Sequence, residues 1–121
     1  MRRSRQQAQS HGHKAENLAL WYLRLKGYRL LARRYKTPLG EIDLIMRKAD
    51  TTVFIEVKAR ATVDASLYAV TPQQSRRIAQ AASLFAARDA KTALGLQRFD
   101  IVVVPSTLWP THIKNAFNGI A

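Results

Sequence analysis

Acids are scarce in this chain. Eight aspartates and glutamates stand against twenty lysines and arginines, for a formal charge of +12 and a pI near 11.0. Cysteine is absent, which excludes disulfides and thiolate metal sites and fits a reducing compartment, so the cytoplasm is the expected location. No apolar run is long enough to span a bilayer, and the charged N-terminus has no hydrophobic stretch behind it. Neither a membrane-embedded protein nor a secretory signal is therefore expected. Repeats and low-complexity blocks are also missing. What is present is an ordinary hydrophobic content of 47% over 121 residues, enough to build the core of one domain. The basic excess is large for so small a chain and favours a polyanionic partner, nucleic acid first.

Residues 1–12 read as a basic tail, because Arg2, Arg3 and Arg5, the glutamines, Ser10 and Gly12 offer no apolar periodicity. His11 and His13 lack a third ligand beside them and read as solvated. The remainder, 13–121, reads as a single domain. A first helix is predicted from about His13 to Lys26, with Ala15, Leu18, Ala19, Tyr22 and Leu25 at helical spacing and Trp21 and Leu23 widening the buried stripe. Gly27 suits its C-terminal cap, and Glu16 falls in its first turn. Tyr28 to Tyr35 is a first strand, and Thr37 to Gly40 a turn. Glu41 to Arg47 and Thr52 to Arg60 are two strands with period-two alternation. After a loop from Ala61 to Val70, Thr71-Pro72-Gln73-Gln74 opens a second helix with a capping box, and Ile78, Ala81, Ala82 and Phe85 form its buried face. Phe99 to Val104 is an almost fully apolar run, expected to be a strand covered on both faces. Trp109 falls in an irregular stretch between Pro105 and Pro110, and His112 to Phe117 is a short last strand. The order α-β-β-β-α-β-β places the chain in the α/β class, a sheet with helices packed on it.

Three of the eight acids, Glu41, Asp43 and Glu56, alternate with large aliphatics in Gly40-Glu41-Ile42-Asp43-Leu44-Ile45 and Phe54-Ile55-Glu56-Val57-Lys58. Side chains alternate across a strand, so Glu41 and Asp43 share one face, as do Glu56 and Lys58. A turn centred between Ala49 and Asp50 sets Asp43 opposite Glu56 and Glu41 opposite Lys58. Directly opposed residues have β-carbons about 4.5–5.5 Å apart, close enough for two carboxylates to repel. A hard divalent cation removes that penalty, since carboxylate oxygens are its preferred ligands. Lys58 beside it positions a water or neutralises a phosphate. The plainer alternative is a surface hairpin carrying an ordinary Glu41–Lys58 pair, which leaves the opposition of Asp43 and Glu56 without a reason.

Asp43 followed by Glu56-Val57-Lys58 resembles the active-site signature of the PD-(D/E)XK nucleases. Glu16 on the preceding helix adds to the likeness, because archaeal Holliday-junction resolvases of that superfamily carry a glutamate on their first helix. More narrowly, the chain from about Gly12 to Asn118 is similar to the YraN family of small bacterial proteins. The matching pieces include Ala15-Glu16, Trp21-Tyr22-Leu23, Gly27-Tyr28, the two acidic stretches above, Ala69-Val70-Thr71-Pro72, Arg98-Phe99-Asp100-Ile101-Val102 and His112-Ile113-Lys114-Asn115. Ala15 stands where family members often have glycine, and Gln73 and Gln74 where they often have Arg or Lys.

The resemblance implies a restriction-endonuclease-like fold, a mixed central β-sheet flanked by helices. It implies magnesium or manganese held by Asp43, Glu56 and the Val57 carbonyl, Lys58 as base or water-orienting group, and Glu16 as accessory acid. Glu41 and Gln74 are further accessory candidates, and Arg33, Arg34, Arg60, Arg76 and Arg77 are candidates for contacting nucleic acid. The expectation is a metal-dependent nuclease acting on DNA more readily than RNA, either structure-selective, for junctions or flaps, or nonspecific. Two alternatives remain: a nucleic-acid-binding protein that keeps the fold and cleaves little, and an RNA- or ribosome-associated accessory protein. Whether the chain is a homodimer is left open.

Overall fold

A computed structural model of the protein describes residues 5–60, 70–105 and 109–117, with residues 5–12 described by their backbone alone. Helix α1 spans Arg5–Leu25. It starts well before His13, so the tail expected over residues 1–12 is already helical from Arg5, while residues 1–4 lie outside the described residues. Arg, Gln and Ala are good helix formers, and a helix propagates through them without needing an apolar stripe. The far end closes as the sequence predicts. Gly27 takes φ 93°, the Tyr28 N–H donates to the Leu23 carbonyl and the Gly27 N–H donates to the Arg24 carbonyl. This is the Schellman pattern, which a glycine adopts without steric cost.

The buried stripe of α1 is narrower than predicted, and rotated. Ala15, Ala19, Leu20 and Leu23 are buried, whereas Leu18, Trp21 and Leu25 are exposed. Trp21, read from the sequence as core, is 61% exposed. The helix meets the sheet through Ala15, Ala19, Leu20 and Leu23, and Leu18, Trp21 and Leu25 are left on its outer side.

Strands β1 (Arg29–Lys36), β2 (Glu41–Lys48) and β3 (Thr51–Ala59) form an antiparallel meander. Helices α2 (Pro72–Ala87) and α3 (Ala90–Leu94) follow, then β4 (Leu96–Val104) and β5 (Thr111–Ile113). The sheet order is β1-β2-β3-β4-β5, with β3 and β4 parallel and the other neighbours antiparallel. A parallel neighbour requires a crossover, and the segment containing α2 supplies it. The architecture is the expected mixed α/β sheet flanked by helices, with the five-residue α3 added. The last strand stops at Ile113, short of Phe117.

The capping box at α2 forms as predicted. The Thr71 hydroxyl accepts from the Gln74 N–H, and the Gln74 side chain accepts from the Thr71 N–H, both at 3.1 Å. Two cores result. Under α1 lie Leu44, Met46, Val53, Ile55, Val102 and Val104. On the other face Ile42, Ile45 and Phe54 pack against Ile78, Ala81, Ala82 and Phe85 of α2. The loop expected over 61–70 lies almost wholly outside the described residues.

Candidate functional site

The β2–β3 ladder runs in the expected register from Lys48–Thr51 to Leu44–Ile55 and ends there. Beyond that pair the strands part. Across β2, β1 pairs Arg33 with Leu44 and Tyr35 with Ile42, and Arg34 between them takes φ 49°. Strict alternation fails at the same level. Ile42 and Ile45 both pack on the α2 side, whereas Leu44 and Met46 pack under α1. Asp43 sits at this irregularity, and its Oδ2 accepts the Val57 N–H at 2.8 Å in place of a ladder bond. A residue in an extended strand turns its N–H and C=O to the same side, so the Val57 carbonyl faces the same gap. On the α2 side Asp43 and Glu56 line one open cleft of about 480 Å³, with Gly40 and Glu41 and Gln74 and Arg77 of α2 on its other walls.

The two carboxyl groups share this cavity, close enough for the Asp43 charge to act on Glu56. Burial pushes Glu56 up to about 8, helped by the Asp43 charge, the hydrogen bond with Asp43 and the more distant Glu41, and opposed by Lys58. Lys58 Nζ lies 3.8 Å from Glu56 Oε1, and its side chain is 10% exposed. At neutral pH the pair therefore keeps a proton, and the almost buried ammonium stands beside it.

The remaining candidates divide between this cavity and the opposite side of the sheet. Arg77 and Gln74 are on its wall, although the Gln74 side chain is committed to the α2 cap. Arg76 and Arg60 are exposed, and Arg60 donates to the Ala59 carbonyl. The expected Glu41–Lys58 pair does not form. The ladder ends before reaching it, and Lys58 turns to Glu56 on its own strand. Glu16 lies on α1, which covers the other face. It pairs with Arg34 Nε at 3.0 Å and Arg33 Nε at 3.5 Å, and Arg33 also donates to Asn17. These three candidates are tied to one another rather than to Asp43 and Glu56.

Among the described residues no three His, Asp or Glu side chains converge as a ready-made metal cluster. What the site offers a cation is Asp43 Oδ1, the Glu56 carboxylate once its proton leaves, and the Val57 carbonyl. These are all hard oxygen donors of the kind magnesium takes at about 2.0–2.1 Å, with water completing the shell. The donor set fits such an ion.

The model of the Uncharacterised protein family UPF0102 matches residues 15–104. The chain belongs to that family. UPF0102 is the YraN family of the sequence resemblance. The match runs from α1 through β4 and so contains Asp43, Glu56 and Lys58. The UPF0102 protein of Brucella canis is 50% identical over 108 residues, covering 89% of this chain and 86% of its own length. Those of Chelativorans sp. and Mesorhizobium japonicum are 48% and 47% identical over 116 residues, each covering 96% of this chain and 94% and 93% of their own lengths.

One polar centre of this UPF0102 chain escaped the sequence reading. Asp100, inside what reads as an apolar strand, has no exposed surface. It accepts hydrogen bonds from Arg98 Nε and Nη2, from the Asn115 N–H and from His112 Nε2, the last at 2.6 Å. Burial alone would raise the Asp100 carboxyl, but the bonds from His112, Arg98 and Asn115 outweigh it and hold the group below its ordinary range. Arg98 also donates to the Tyr28 hydroxyl at 2.8 Å. The signal was a single acid in a strand otherwise able to be buried on both faces, followed by a histidine on the next strand.

Proposed function

We propose that the chain is a metal-dependent nuclease that hydrolyses phosphodiester bonds of DNA, selecting branched or flapped substrates. The observation that carries this reading is that Asp43 and Glu56 line one cavity where the ladder ends, with Lys58 Nζ 3.8 Å from Glu56. A pure binding surface on so basic a protein gains nothing from opposed acids. Asp43, Glu56 and the Val57 carbonyl would hold magnesium or manganese, which when bound neutralises charge on the phosphate as a Lewis acid. Lys58, fixed beside Glu56, donates to the oxygen of the attacking water and aims it. Arg77, on the cavity wall, supplies a positive charge for a phosphate entering between the β1–β2 turn and α2.

A second reading is a nucleic-acid-binding protein of the same fold with little cleavage. It is favoured by one feature: a protonated Glu56 needs no cation to offset it, and Asp43 is already satisfied by the Val57 N–H. The deciding experiment is incubation of branched, flapped, single-stranded and duplex DNAs with magnesium, manganese or chelator. The nuclease reading expects metal-dependent products and a metal-induced rise in melting temperature, both lost in Asp43→Ala. An uncut panel with either metal would leave the binding reading in its place.

A further inference from the structure

The face of the sheet opposite the acid pair carries a surface that the proposed chemistry does not use. Trp109 is 74% exposed, and its ring lies 6.3 Å from that of Tyr22. Lys26 Nζ stands 5.2 Å from the centre of the Tyr22 ring and donates to His112 Nδ1 at 2.7 Å. An ammonium can only donate, so the His112 proton sits on Nε2 and goes to Asp100. Next to His112, Tyr28 makes an edge contact with its ring, and Lys48 Nζ lies 5.2 Å over the Tyr28 ring. Lys114 follows β5, exposed, and near enough to act on Lys26.

These lysines crowd one another without an acid to answer them. Asp100 is beneath them, but its oxygens are already engaged by Arg98, His112 and the Asn115 N–H. Among the described residues none of Lys26, Lys48 and Lys114 is in ion-pair contact with a carboxylate. Burial and the charges of Lys114 and Lys48 depress the Lys26 ammonium, and the opposing pull of Asp100, already engaged elsewhere, does not make up for them. A string of phosphates relieves that repulsion. An exposed indole next to it suits the flat face of a base, and in a duplex those faces are covered by stacking. The combination of a basic track with an aromatic platform is how proteins hold single strands.

We propose that Trp109, Tyr22, Lys26, Lys48 and Lys114 form a second nucleic-acid contact, one that takes a single-stranded stretch by stacking an unpaired base on Trp109 and seating phosphates on the lysines. The contact stands independently of cleavage at Asp43 and Glu56. It gives the protein a hold on the unpaired part of a nucleic acid from the face opposite the acid pair.

The test is binding of a fluorescein-labelled single-stranded oligonucleotide and of the matching duplex in chelator, so that cleavage plays no part. Trp109→Ala should weaken single-strand binding about tenfold and leave duplex binding within twofold, because only an unpaired base can stack on the indole. Trp109→Phe should restore most of the single-strand affinity. Lys26→Ala with Lys114→Ala should flatten the single-strand salt dependence by about 1.4 log units per log unit, at roughly 0.7 per phosphate contact. Melting temperatures check folding, and if Trp109→Ala proves unstable, Trp109→Leu, which fills space without offering a ring face, takes its place beside Lys114→Ala. Unchanged single-strand affinity in folded Trp109→Ala (or Trp109→Leu) and in the lysine variants would overturn the proposal, as would an equal loss on duplex from the Trp109 substitution. Binding of anionic vesicles or an acidic peptide through the same residues, with no single-strand binding, would assign the surface to that partner instead.

Discussion

Glu56 is the residue whose surroundings most constrain its chemistry. Its carboxyl is raised from 4.5 to about 8, chiefly by burial and then by Asp43. Between those values the folded protein keeps a proton that the unfolded chain has released. The stabilisation is complete below about pH 4.5 and is lost as pH rises toward 8, the opposite of an ordinary paired carboxylate. A divalent cation displaces that proton, so its apparent affinity rises over the same interval. Melting curves at pH 6 and pH 8, with and without magnesium, should therefore show two things. The metal-free protein should melt lower at pH 8, and magnesium should raise the melting temperature more at pH 8 than at pH 6. Glu56→Gln, which is neutral at both pH values, should remove the pH dependence and most of the magnesium effect. A magnesium effect of equal size at both pH values in the wild type would mean that the ion does not replace a proton on Glu56.

At the scale of elements, the site depends on how closely the β1–β2 turn approaches α2. The Thr37 hydroxyl accepts the Leu39 and Gly40 N–H groups and donates to the Gly40 carbonyl, which fixes the turn. A β-carbon on Gly40 would collide with the Arg77 carbonyl, a backbone group that cannot swing aside. Gly40→Ala should cost about 1–3 kcal/mol in denaturant unfolding, as overpacked contacts do, and should pry the turn from α2 where Asp43 and Glu56 are enclosed. An unaltered denaturant midpoint would show that the two elements yield without cost. Much of this framework was legible beforehand. The β2–β3 register follows from two alternating runs around a short turn, and the α2 start from Thr71, Pro72 and Gln74. Both depend on local patterns that tertiary packing had no reason to override. The face of α1 was not legible, because its apolar residues cover more than half the circumference. Ala15, Ala19 and Leu23 go inward as expected, and only the sheet's shape decides that Leu20 joins them while Leu18, Trp21 and Leu25 stay out. The irregularity at Asp43 was equally hidden. It coincides with a left-handed backbone at Arg34, a conformation that nothing in an arginine's chemistry announces. Asp100 was passed over for a related reason: one acid does not disturb an apolar run until its partners, Arg98, His112 and the Asn115 N–H, are seen to converge on it.

At the scale of the whole molecule, three acids among the described residues are spent on arginines, Glu16 on Arg33 and Arg34, Asp89 on Arg47 and Asp100 on Arg98, and Lys58 stands beside Glu56. Most of the described lysines and arginines are in no ion pair with a carboxylate, and among the described residues no helix is long and apolar enough to cross a membrane. On the proposed function, binding to a polyanion would draw on the entire surface and cleavage on one cavity, so a single substitution should separate them. Lys58→Ala removes one charge among twenty and should lower duplex affinity by no more than one counterion's worth, a change of about 0.9 in the salt slope. The same substitution takes away the amine that stands 3.8 Å from Glu56, where on the proposed function the attacking water would be aimed. Loss of a group that manages a proton or its water in the transition state costs about a hundredfold to ten-thousandfold in rate. Affinity should be measured in chelator and rate in magnesium, on the same branched DNA. Nearly unchanged affinity with a rate drop in that range is the expected result. A variant that cuts as fast as wild type would remove Lys58 from the chemistry. A parallel fall in affinity and rate would instead make it one more phosphate contact, and the nuclease reading would then rest on Asp43 and Glu56 alone.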